Sequence, residues 1–74
     1  MAWKTILLMG DPAECRAYAK RRMLRAYEYR VCTRIEDMRG YSDTKAVELW
    51  GFQQFPDKNK MLEYAKDHQI TVSH

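Results

Sequence analysis

Seven arginines occur in this 74-residue chain, all between positions 16 and 39, whereas residues 40–74 carry lysine and no arginine. Guanidinium groups are planar, permanently charged and bidentate, which suits phosphate and carboxylate oxygens. Residues 16–34 hold Arg16, Lys20, Arg21, Arg22, Arg25, Arg30 and Arg34 against a single acid, Glu28, so this stretch is at +6 while the rest of the chain is at −3. The asymmetry predicts a polyanionic partner: RNA, single-stranded DNA, or the acidic surface of another protein. Arg21, Arg22, Arg25, Arg30 and Arg34 are the expected contacts, with Tyr18 beside them on the same helix. Trp50 and Phe52 form a second candidate set, able to stack on bases or to be covered by self-association into a homodimer.

The remaining reactive side chains point away from catalysis. Cys15 falls in the first turns of a helix, where the dipole favours a thiolate, and its spacing to Arg21 is similar to the Cys-x5-Arg of cysteine phosphatases. The five residues between are Arg-Ala-Tyr-Ala-Lys, helix formers rather than an anion-holding loop, and no aspartate stands where a general acid is expected. Cys15 therefore reads as a core residue and the protein as non-enzymatic. Cys15 and Cys32 are too few for a disulfide scaffold and too far apart for a Cys-x-x-Cys pair. His68 and His74 have no partner at ligand spacing, so no metal site is expected. Gly10 stands alone, without the glycine-rich loop that holds a phosphate-bearing cofactor.

Four strands and two helices must position these groups. Residues 3–9 are β-rich and apolar enough for a central strand ending at Gly10. Asp11, Pro12 and Glu14 then make a helix start, with Asp11 as cap and Pro12 at the first position. The helix is predicted from residue 12 to about Ala26, with Cys15, Ala19, Met23 and Ala26 inward and Tyr27 at the edge of that stripe. Tyr29, Val31, Thr33 and Ile35 alternate with Arg30, Cys32, Arg34 and Glu36, the pattern of a half-exposed strand. Residues 36–43 read as a loop. Residues 45–55 favour a strand on their β-formers, although 43–50 would also fit a capped helix. Asp57 is expected to cap a last helix reaching about His68, with Met61, Leu62, Ala65 and His68 inward, before a short strand at 70–72.

The resulting order, β-α-β-β-α-β, predicts an α+β ferredoxin-like sandwich: a four-stranded antiparallel sheet with two helices on one face. With residues 43–50 helical the order becomes β-α-β-α-α-β, closer to a truncated thioredoxin-like unit. The length fits one domain over residues 1–74. No apolar run approaches the roughly 20 residues of a membrane span, and residues 2–4 before the short run at 6–9 make a poor signal peptide. A cytoplasmic protein without membrane contact is expected.

Glu48-Leu49-Trp50-Gly51-Phe52-Gln53-Gln54-Phe55, followed by Asp57 and a helix, resembles the third strand and second helix of an RNA-recognition motif. That family's octapeptide reads basic, Gly, aromatic, Gly or Ala, aromatic, Val, any residue, aromatic. Trp50, Gly51, Phe52 and Phe55 agree with it, while Glu48, Leu49 and Gln53 depart from it. The resemblance, confined to about residues 48–65, implies that Trp50 and Phe52 project from an open sheet face and stack on bases.

Overall fold

Ile6-Leu7-Leu8-Met9 is apolar at every position, a pattern that suits a strand buried on both faces. In the computed structural model, which describes residues 5–73, this segment is β1 (Ile6–Met9), and Leu7, Leu8 and Met9 are all fully buried. Trp3, expected at the head of that strand, and His74 lie outside the described residues. After β1 come α1 (Pro12–Arg21), β2 (Tyr29–Cys32), β3 (Lys45–Glu48), α2 (Lys58–Asp67) and β4 (Thr71–Ser73). Short 3₁₀ turns occupy Ala26–Glu28, Ile35–Met38 and Phe52–Gln54.

The strands form one sheet in the order β2-β1-β3-β4. Every pairing is parallel: Leu7 opposes Arg30 on one side and Ala46 on the other, and Ala46 in turn opposes Val72. The element order is the expected one, but the antiparallel ferredoxin-like sheet is not what forms, nor is the thioredoxin-like alternative. The two helices also lie on opposite faces of the sheet. Leu7, Met9, Cys32 and Ala46 pack with Met61 and Ala65 of α2. Leu8 packs with Cys15 and Ala19 of α1, joined by Ile6, Tyr29, Val31 and Val47.

The physical reason lies in β1 and in the connection after β2. A strand with no polar position needs cover above and below, which one helix layer cannot supply. Residues 33–44 are too many for a tight hairpin, and they cross the α2 side of the sheet with Met38 buried in that core. They deliver β3 to the far side of β1, where Thr44 Oγ1 donates to the Thr5 carbonyl at 2.6 Å. This bond satisfies the polar group of Thr44, which is otherwise buried.

α1 begins, and both helices end, for local reasons. Asp11 accepts a hydrogen bond from the Ala13 amide at 3.1 Å, with Pro12 in the first turn. α1 then stops five residues short of the expected end. Leu24 N donates to Ala19 O at 2.8 Å and Met23 N to Lys20 O at 3.1 Å, a Schellman closure with Met23 left-handed at φ 56. Met23 is consequently 87% exposed rather than inward, and Ala26 and Tyr27 leave the stripe with it. α2 closes in the same way, with Ile70 N to Ala65 O at 2.8 Å and Gln69 at φ 58. The Asp57 carboxylate does not cap α2; it accepts from the Ile35 amide at 3.1 Å and ties the connection after β2 to this helix. His68 is exposed, its ring stacked on Tyr64 with centroids 3.8 Å apart.

Candidate nucleic-acid interface

α1 runs back from the carboxyl ends of the strands to their amino ends, so its C-terminal turn and the connection to β2 lie at the amino end of the sheet. Its buried residues are Cys15 and Ala19. At 100° per residue Arg16, Lys20 and Arg21 then fall on the solvent side, and all three are exposed. Arg22 is exposed on the flank that faces β3, its guanidinium 5.0 Å above the ring of half-buried Tyr18. Arg25 is exposed in the connection that follows, and Tyr27 beyond it is 63% exposed. No carboxylate among the described residues pairs with any of these five cations.

Arg30 and Arg34 do not join them. Arg30 sits opposite Leu7 in the register and therefore on the α2 side of the sheet. Its Nε donates to the Asp37 carbonyl at 2.7 Å and its Nη2 to the Asp37 carboxylate at 3.4 Å. Asp37 also accepts from the amides of Thr33 and Arg34 at 2.9 and 3.2 Å and from the Thr33 hydroxyl. Burial pushes its pKa up, but these donors and the Arg30 charge outweigh burial and leave it below the ordinary carboxylate value. Arg30 is thus internally neutralised, and Arg34 is exposed beyond the carboxyl end of β2, at the far end of the sheet from Arg25.

The aromatic pair is split as well. β3 ends at Glu48, Trp50 and Gly51 form a turn, and Phe52 begins a 3₁₀ turn. Phe52 is fully buried in the core, edge-on to Phe55 with ring centroids 5.8 Å apart. It is neither a stacking platform nor a self-association surface. Trp50 is 70% exposed, but in the turn and not on a strand.

That turn closes the place where parallel sheets of this kind usually receive ligands, the crevice at the carboxyl ends where strand order reverses. Here the reversal lies between β1 and β3. Leu49 N donates to Met9 O and Asp11 N to Trp50 O, both at 2.8 Å. A Cβ on Gly10 would lie 2.8 Å from Leu49 Cβ, and Gly51 meets Asp11 while holding φ at +95. Backbone therefore fills the crevice.

No family model, curated protein or solved structure matches this chain. Both thiols are buried. Burial, with the Asp11 charge adding, pushes Cys15 up to about 11, and burial with Asp37 pushes Cys32 up to about 12. Cys15 Sγ lies 3.4 Å from the Leu8 carbonyl as a buried donor. No three His, Cys, Asp or Glu residues among those described stand close enough to hold a metal ion. No helix among them is long and apolar enough to cross a membrane.

Tyr27 and Met23 were not legible as surface groups. While α1 is extended to residue 26 both fall on or beside its inward stripe, and only the left-handed turn at Met23 moves them out.

Proposed function

We propose that this chain is a small non-enzymatic binding domain that holds single-stranded nucleic acid along the outer face of α1 and the connection to β2. Arg16, Lys20, Arg21 and Arg25 contact phosphates, and Tyr27 offers a ring for a base to stack on. Arg22 extends the same strip over Tyr18. One observation carries the reading: five exposed cations within ten residues, none paired with a carboxylate among the described residues, end beside an exposed aromatic. An internal structural role would have paired these charges, as it does for Arg30.

The test is fluorescence anisotropy of a labelled single-stranded RNA and its DNA counterpart at rising salt. Four phosphate contacts on a single strand give a log–log slope of about −3, which is roughly a 50-fold loss of affinity for a fourfold rise in salt. Arg21→Glu/Arg25→Glu should abolish binding while lowering the melting temperature by only a few degrees, because both side chains are solvated and only Arg21 lies in the last turn of α1. Binding that ignores salt, or that survives the double substitution, would refute this reading. The same measurement with an acidic protein in place of nucleic acid separates it from a regulator that docks its basic face on a protein surface.

A further inference from the structure

The cationic strip along α1 is short and ends in carboxylates on both sides. The first-turn amides of a helix are a place where phosphate settles. In α1 the Asp11 carboxylate occupies it, accepting from the Ala13 amide at 3.1 Å, and exposed Glu14 lies in the same turn. At the other end, Glu28 Oε1 accepts from the Arg25 amide at 3.1 Å, which fixes a carboxylate one residue past Tyr27. Beyond it comes β2, whose Arg30 is held by Asp37.

Between these ends α1 supplies Arg16, Lys20 and Arg21, and the connection to β2 supplies Arg25, all exposed. Arg22 lies over Tyr18 on the flank and stands apart from these four. Four cations meet four phosphates, and four consecutive phosphates join five nucleosides. The longest dimension of the molecule is 29 Å; at about 3.4 Å per stacked nucleotide even that length holds only about eight. A strand that runs on past the strip gains no contact. Its next phosphate meets a carboxylate in place of a cation, and like charges repel.

We infer that Asp11 and Glu14 at one end, and Glu28 at the other, limit one chain to about five nucleotides of single strand. The inference rests on the nucleic-acid reading above and adds to it the length of the ligand and the residues that set that length.

The experiment measures affinity against salt for oligothymidylates of about two to twelve nucleotides, without terminal phosphates, on the full chain. The log–log slope should steepen by about 0.7 for each added phosphate and stop at about −3 with the pentanucleotide. Longer strands should gain affinity only in proportion to the registers they offer, at an unchanged slope. Glu14→Lys turns one boundary into a fifth contact, so the slope should reach about −3.5 and the limiting length about six nucleotides. Glu14 is exposed, and the length series on the unaltered chain reads the limit even if the variant folds poorly. A slope still steepening beyond about eight nucleotides would overturn the limit while leaving the nucleic-acid reading in place. So would a dinucleotide that binds as tightly as the pentanucleotide, or a folded Glu14→Lys protein whose limiting length stays the same. No binding at any length would refute the nucleic-acid reading, and the limit with it.

Discussion

Placing a methyl group at Gly10 tests the junction on which this fold turns. In Gly10→Ala the new Cβ would sit 2.8 Å from Leu49 Cβ, 3.0 Å from the Trp50 carbonyl oxygen and 3.1 Å from the Leu49 carbonyl carbon. Carbon atoms in contact prefer about 3.5–4.0 Å, so the turn after β3 must retreat by several tenths of an ångström. Two of the three neighbours are backbone atoms, and that backbone is held by Leu49 N to Met9 O and Asp11 N to Trp50 O at 2.8 Å. Weakening the pair costs about 1 kcal/mol for each bond lost, and forcing extra volume into a packed site costs about 1–3 kcal/mol. The smaller entropy of the unfolded alanine chain returns about 0.4–1 kcal/mol. The net loss is about 2–3 kcal/mol, or roughly 10–20 °C in melting temperature for a domain of this size. Thermal melts followed by circular dichroism, with urea midpoints at unchanged m, measure it. Gly40→Ala is the control: Gly40 has φ +91 but nothing within 4 Å of a Cβ, so it should lose only the roughly 1 kcal/mol of a left-handed alanine. A Gly10→Ala protein as stable as wild type would refute the claim that the two turns hold each other.

Met23→Gly should raise stability by about 0.5–1 kcal/mol in urea titrations, since an exposed left-handed position closes α1 and Gly adopts it without strain. Phe52→Ala should cost about 3–5 kcal/mol, whereas Trp50→Ala should stay within about 0.5 kcal/mol; equal effects would contradict the buried and exposed placements of the two rings. The folded pKa of Asp37 is depressed, so its contribution is present above the unfolded value and is lost as pH falls through the folded one. Stability should accordingly decline on acidification below about pH 4, and Asp37→Asn should remove that part of the decline while destabilising the protein at neutral pH by about 1–3 kcal/mol through lost acceptors.

Local chemistry was the legible part of this sequence. Gly10-Asp11-Pro12 marks a strand end and a helix start because cap and fixed φ act within three residues, and the structure places both there. The inward positions Cys15, Ala19, Met61 and Ala65 follow from helical periodicity and are buried. Pairing direction was not legible, because the order β-α-β-β-α-β is the same for antiparallel and parallel sheets. The usable signal was β1 itself: four apolar residues in a row require cover on both faces, and so helices on both sides. Cys32, an expected outward residue, is buried for the same reason, since α2 covers the face opposite α1. The segment from Leu49 to Phe55 misled by composition. Its aromatics suit a strand, yet Gly51 takes a left-handed turn against Asp11 and sends Phe52 into the core. At the candidate interface, the excess of arginine was visible while its partition was not. Arg30 is withdrawn by Asp37, a contact across seven residues that only the β2 connection creates.

A sheet without a single hairpin also constrains how the chain reaches its native state. Each strand must wait for a neighbour brought round by a helix or a long connection; the bond between Thr44 and Thr5 joins groups 39 residues apart in sequence. Loop closure must be met before any of these pairings gives a return. Self-assembly of this short chain should therefore be slow for its size, with β1 unable to find its second neighbour until more than half of the polypeptide is available.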